Sequence, residues 1–155
     1  MKKAHVTCYV ALGANLGDAA ATVGRAMDAI DRLPDTQVTR RSSLYRTAPV
    51  GASGPDYINA VVEVSTAMAA PQLFGRLQKL ELAAGRERPY PNAPRTLDLD
   101  LLLYGDAQLQ SPALTIPHPR MAGRAFVLVP LAEVAPQRVS AAQLLRVSTQ
   151  AIQRL

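Results

Sequence analysis

An α+β domain is predicted, an antiparallel sheet with helices packed on it, and three observations carry that prediction. Short apolar runs rich in β-formers alternate with longer stretches of helical spacing, in the order βαββαβ. Gly, Pro, Asn or Asp marks each change of element. The 155 residues are 48% hydrophobic with charge scattered evenly, which suits one domain with a substantial core. A single domain over residues 1–155 is expected, with a C-terminal hairpin and helices after the first six elements.

Val6 to Leu12 reads as a buried strand, ended by the turn chemistry of "GANLGD". Gly13 and Gly17 read as a tight strand-to-helix turn. Asp18 can cap the next helix, where Val23, Met27, Ile30 and Leu33 share one face until Pro34 stops it. "VTRRSSLYRT" reads as one strand and "APVGASGPD" as a loop. "YINAVVEVS" alternates, with Ile58, Ala60, Val62 and Val64 on the core face and Tyr57, Asn59, Val61 and Glu63 on the other. From Pro71 a helix runs to about Ala84, with Leu73, Leu77, Leu80 and Ala84 as its stripe and Gly85 as its stop. The arginine- and proline-rich "RERPYPNAPR" leads into a leucine-rich strand. A strand pair around "DAQLQSPALTI", the segment "PHPRMAGRAFVLVPLAEVAP" and an amphipathic helix from about Ser140 complete the chain. No repeat or low-complexity linker interrupts this order. βαββαβ is the split βαβ, ferredoxin-like arrangement.

Composition narrows the function classes. Cys8 is the only cysteine, so no internal disulfide is possible and a reducing compartment, the cytoplasm, is expected. The start "MKKAHVTCYVALGA" has a basic tip and an apolar run, but His5 and Thr7 interrupt it, and no stretch approaches a membrane span. A net charge of +5 and a pI near 9.8 fit an anionic partner: nucleic acid, an acidic surface or a phosphorylated small molecule. Of the 17 basic residues 14 are arginine, a side chain suited to bidentate phosphate contacts.

The informative stretch is "APRTLDLDLLLYG". In a strand, Asp98 and Asp100 project from the same face, with Cα atoms about 6.5–7 Å apart, while Leu97, Leu99, Leu101 and Leu103 take the other. Two like charges so placed raise each other's pKa unless a cation sits beside them. A hard divalent cation such as Mg²⁺ suits the pair, since it takes one or two carboxylates and fills its shell with water and phosphate oxygens. Arg86, Arg88 and Arg95 lie just upstream, and His118 and Arg124 just beyond the hairpin. Carboxylates with arginines nearby are what phosphoryl transfer needs, because its demands are charge neutralisation and positioning. "GANLGD" lacks both the G-x-G-x-x-G pattern and the Gly-Lys-Ser/Thr ending of the common phosphate loops.

These residues, with "VALGANLGD", "LYRTAPVG", "PDYINAV" and "PHPRMAGRAFVLVPLAEVAP" in order, closely resemble the 6-hydroxymethyl-7,8-dihydropterin pyrophosphokinase family of folate biosynthesis. The resemblance implies a ferredoxin-like fold and transfer of pyrophosphate from ATP to the pterin's hydroxymethyl group, with AMP released. It implies two Mg²⁺ ions held by Asp98 and Asp100, with Arg86 and Arg95 on the triphosphate and Arg88 in a lid. It places His118 and Arg124 near the nucleotide, and Gln78, Glu81, Leu101 and Thr115 around its base and ribose. Tyr57 and Phe126 match the aromatics that sandwich the pterin, Asn59 the amide that reads its edge, and Thr47, Ala48 and Val50 the loop completing that pocket. One departure stands out: "YPNAP" occupies the lid loop where relatives often carry a tryptophan, and this chain has none. The expected partners are ATP and the pterin, with no nucleic acid and no membrane, acting on a monomer. The rival reading, an RNA-binding module, finds an echo of its aromatic motif in "GRAFVLV", but Arg124 and Val129 stand where stacking aromatics belong.

Overall fold

The computed structural model describes residues 4–49, 54–85 and 97–155. The first strand, β1 (Val6–Ala14), runs two residues past its expected end and so contains Gly13. Gly17, with φ of +59°, is the residue the turn itself requires. Helix α1 (Ala19–Asp31) starts where Asp18 Oδ1 accepts the Ala21 N–H at 3.1 Å, a cap worth about 1 kcal/mol. Its face of Val23, Met27 and Ile30 is buried.

"VTRRSSLYRT" forms two strands rather than one, β2 (Thr36–Arg41) and β3 (Tyr45–Thr47). Ser42 breaks the ladder: its N–H donates to the Val61 carbonyl, while its hydroxyl replaces a carbonyl as acceptor of the Val61 N–H, at 2.9 Å each. Next in the chain come β4 (Tyr57–Thr66) and α2 (Ala70–Ala84). Leu73 and Leu77 of α2 are buried as expected, but Ala84 is exposed, and Gly85 caps the helix with an ordinary negative φ. After α2 come β5 (Asp98–Tyr104) and the expected hairpin, β6 (Leu109–Gln110) with β7 (Thr115–Ile116). Helix α3 (Ala125–Val134) follows, so "GRAFVLV" lies at a helix start and not on the strand the RNA reading needs. Ser140 caps a short α4 (Ala141–Arg146), and a strand that periodicity did not reveal, β8 (Gln153–Arg154), ends the chain.

The main sheet is antiparallel in the order β5, β1, β4, β3, β8, with β2 pairing β4 beside β3. That is the ferredoxin-like order, in which the first and third core strands, β1 and β4, lie inside, with the fourth, β5, on one flank and the second, split into β2 and β3, on the other. Cys8, Val10 and Leu12 of β1, with Ile58, Ala60, Val62 and Val64 of β4, face α1 and α2. The other face is also a core, because α3 covers Tyr9, Ala11 and Val61, so β4 is buried on both sides. Leu103 belongs to that second core and not to the first. Tyr9 pairs Leu103 while Val10 pairs Leu101, so Leu102 is an extra residue that resets the alternation. This bulge turns Leu102 and Leu103 together under α3 and leaves Asp98 and Asp100 on the same face, beyond the helix's cover.

Candidate active site

Asp98 and Asp100 lie on β5, an edge strand, and alternation directs them to the α3 side while Leu97, Leu99 and Leu101 enter the opposite core. His118 reaches the same ground because its N–H donates to the Leu102 carbonyl at 2.9 Å, which puts its Nε2 3.8 Å from Asp100 Oδ1. The Arg120 N–H donates to His118 Nδ1 at 3.2 Å, so the neutral ring carries its proton on Nε2, toward the carboxylate. Burial pushes the His118 pKa down, Asp100 pulls it up, Arg124 and Arg120 lower it, and Asp98 raises it; the balance lies below the ordinary 6.5. The imidazole is therefore neutral at neutral pH.

Asp98, Asp100, His118 and Arg124 converge with Pro119 and Arg120 on a cleft of about 360 Å³. A single tight turn, Met121–Gly123, swings the chain between His118 and Arg124 so that both face it. Arg120 is the member sequence reasoning missed. The available signal was its place in "PHPR", two residues beyond the histidine.

The second half of the site lies one row across the sheet. Tyr45, Asn59, Gly13 and Asp98 stand opposite one another on β3, β4, β1 and β5. Asn59 is only 5% exposed, and its Nδ2 donates to Thr47 Oγ1 at 2.8 Å. Tyr57, two residues earlier on the same face of β4, is 37% exposed, and Ala48 is exposed just after β3. Phe126, half-buried at the start of α3, has the Arg124 guanidinium 5.3 Å from its ring centroid, a cation–π contact that joins the two halves.

At the outer edge of β5, Glu81 Oε2 accepts the Leu99 N–H at 2.9 Å, satisfying a backbone donor the sheet leaves unpaired. Gln78 lies on the same face of α2, one turn earlier, and is exposed; Thr115 is half-buried on β7. The Leu101 side chain is 2% exposed in the first core, which leaves the backbone of this residue as its part nearest to the site. Val50, Arg86, Arg88 and Arg95 lie outside the described residues, as does the "YPNAP" loop.

The donor set fits a hard divalent cation that completes its shell elsewhere. Two carboxylates share one face, Asp100 is about one-third exposed to the cleft, and no three or more His, Cys, Asp or Glu among the described residues are placed to hold a metal ion by themselves. That composition suits Mg²⁺ with phosphate oxygens better than an all-protein cage.

An antiparallel α+β sheet carrying a carboxylate pair, a neutral histidine and arginines on its uncovered face defines a class, the enzymes that move phosphate-bearing groups by positioning and charge neutralisation. A model of the 7,8-dihydro-6-hydroxymethylpterin-pyrophosphokinase (HPPK) family matches residues 9–136, and the chain belongs to that family. It is 46% identical over 129 residues to the 2-amino-4-hydroxy-6-hydroxymethyldihydropteridine pyrophosphokinase of Pseudomonas aeruginosa, covering 83% of this chain and 80% of that one. To the enzyme of the same name from Haemophilus influenzae it is 42% identical over 135 residues, covering 86% and 84%. Among solved structures, a Plasmodium falciparum HPPK-DHPS superposes with a TM-score of 0.67 at 12% identity, over 87% of this chain and 42% of that one. The chain thus spans about two fifths of that longer protein, and the likeness shows the fold alone. No helix among the described residues is long and apolar enough to cross a membrane.

Proposed function

We propose that the chain transfers the pyrophosphoryl group of ATP to the hydroxymethyl group of 6-hydroxymethyl-7,8-dihydropterin, giving AMP and the dihydropterin diphosphate, on the floor formed by Asp98 and Asp100. The carrying observation is that pair, turned onto one cleft with His118 and Arg124, inside the stretch the family model matches.

Asp98 and Asp100 would hold two Mg²⁺ ions, which when bound offset the triphosphate's charge and ease departure of AMP. Arg86, Arg95 and Arg124 neutralise the transferring group, and Arg88 closes over the nucleotide. The reading is supported by the resemblance for the first, second and last of these arginines, and by the cleft itself for Arg124. The hydroxymethyl oxygen attacks the β-phosphorus in line, and the new O–P bond forms as the bond from that phosphorus to the AMP oxygen breaks. His118 serves as a donor from Nε2 rather than as a base, because its Nδ1 already accepts the Arg120 N–H. The hydroxyl proton passes to solvent water late in the step, as a loose transition state allows.

The acceptor's flat ring stacks between Tyr57 and Phe126, with Asn59 reading its polar edge and Thr47, Ala48 and Val50 closing the pocket. Support comes from the shared face of Tyr57 and Asn59 and from the Asn59–Thr47 bond. The base and ribose lie along the β5 edge, near Gln78, Glu81, Thr115 and the Leu101 backbone. We take the chain to act as one domain and as a monomer, since the large apolar side chains exposed among the described residues are scattered: Tyr57, Leu82, Leu145 and Leu155. Its setting is the cytoplasm, where ATP and a reduced pterin are both held.

The test is incubation of the purified protein with ATP, Mg²⁺ and 6-hydroxymethyl-7,8-dihydropterin, followed by chromatography of the nucleotides. Pterin-dependent AMP without ADP is expected. Formation of ADP, or no product from folded protein, would overturn the reading.

A further inference from the structure

Gly13 sits within a central strand, paired on both sides, and it is not one of the glycines whose backbone needs a positive φ. A glycine there weakens the strand and frees no turn, so its use must be space. The space has an owner. A Cβ at position 13 would stand 3.2 Å from Asn59 Oδ1 and 4.0 Å from the Ile58 carbonyl oxygen, and nothing else is as near. Contacts of 3.2 Å are tighter than a carbon and an amide oxygen ordinarily adopt, so the amide would have to yield.

The Asn59 amide is not free to yield cheaply. Its Nδ2 is tied to Thr47 Oγ1 at 2.8 Å, which turns Oδ1 over β1, toward the strand that carries Asp98. Along the same face β1 presents Tyr9, Ala11 and Gly13, a taper from a full ring to no side chain at all as the strand leaves the cover of α3. The bare position falls between Asn59 on one neighbouring strand and Asp98 on the other.

Resting on the acceptor-site assignment above, we propose that Gly13 is a positioning residue for the acceptor substrate: its missing side chain lets the Asn59 carboxamide lie over β1 in the orientation that reads the pterin edge. Gly13 acts through Asn59, not through the nucleotide. Replacing it with alanine adds one carbon that a strand tolerates and displaces one amide.

The experiment compares wild type, Gly13→Ala, Asn59→Ala and the double variant, with pterin affinity read both as KM and by equilibrium fluorescence titration, and with binding of a non-transferable ATP analogue in Mg²⁺ as control. Gly13→Ala is expected to weaken pterin binding by about tenfold, the scale of one mis-set buried hydrogen-bonding group. Analogue binding and the melting temperature should stay near wild type. In the Asn59→Ala background, adding Gly13→Ala should cost less than about twofold, because the two act as one unit. Additive losses, an unchanged pterin affinity, an equal loss of nucleotide binding, or an unfolded Gly13→Ala by circular dichroism would each overturn it. A wild type that makes no pterin-dependent AMP would instead overturn the acceptor assignment, and this inference with it.

Discussion

Two carboxylates on alternate residues of an edge strand cost a fold something and return nothing to its packing. The leucines around Asp98 and Asp100 enter cores on both faces of the sheet, whereas the aspartates meet the cleft that His118 and Arg124 share. Asp98→Asn and Asp100→Asn should each lower turnover by about two orders of magnitude or more, the usual scale when a group that neutralises transition-state charge is removed. Melting temperature should hold, because neither side chain belongs to a hydrophobic core. Rates of AMP formation in the two purified variants check this, and near-normal turnover in either would refute the role of the pair as metal floor. The pair was legible in the sequence because period 2 is local. Arg120 was not, since it stands two residues beyond His118 on irregular backbone, where no period along the chain says that its side chain lines the cleft.

At the scale of elements, Glu133 joins α3 to the broken strand. Its carboxylate accepts from the Ser43 N–H at 2.9 and 3.0 Å, from the Ser43 hydroxyl at 2.9 Å and from the Tyr45 hydroxyl at 2.7 Å, with Arg154 of β8 3.9 Å away. The helix that carries Phe126 and begins just after Arg124 is thereby tied to the strand that carries Thr47. Replacing Glu133 with alanine should cost about 2–3 kcal/mol, the range for hydrogen bonds to a charged group whose partners are left unmet. Burial raises the Glu133 pKa, but the Tyr45 and Ser43 hydrogen bonds and the Arg154 charge outweigh it and hold the carboxyl below its ordinary 4.5. A carboxyl depressed by folding stabilises fully above its ordinary value and loses that contribution as pH falls through the lowered one. The melting-temperature gap between wild type and Glu133→Gln should accordingly be widest near neutral pH and close in acid below about 4.5, which scanning calorimetry across pH would test. Ser42 makes a related prediction. Its hydroxyl alone satisfies the buried Val61 N–H, so Ser42→Ala should cost about 1–2 kcal/mol by denaturant titration.

For the whole molecule, one sheet serves two cores. Leu73 of α2 is fully buried on one face and Leu128 of α3 on the other. Each leucine-to-alanine change should cost about 2–5 kcal/mol. Stacked layers lie about 10 Å from a sheet, so with the sheet between them the two sites share no partner and the losses should add within about 0.5 kcal/mol. A single unfolding transition is expected throughout, because β1 and β4 contribute residues to both cores. Two resolved transitions would show that the layers do not unfold together through the sheet, whereas strong non-additivity would show that Leu73 and Leu128 are energetically coupled across it.

The sequence alone determined what is periodic or chemically local. The βαββαβ order of the first elements, the Asp18 cap, the start of the last helix near Ser140, the face shared by Asp98 and Asp100, and the motifs that mark the family all follow from spacing along a short stretch. Tertiary structure decided what depends on residues far apart in the chain meeting. The Leu102 bulge sends Leu103 to the second core, because a pairing irregularity is set by the partner strand β1 as much as by β5 itself. α3 makes β4 two-faced, Ser42 splits a strand by answering Val61, and β8 joins the sheet only because β3 offers an open edge. Gly13 is the plainest case. Read along the chain it is turn punctuation, and only the lateral register shows that its emptiness belongs to Asn59 and lies beside Asp98.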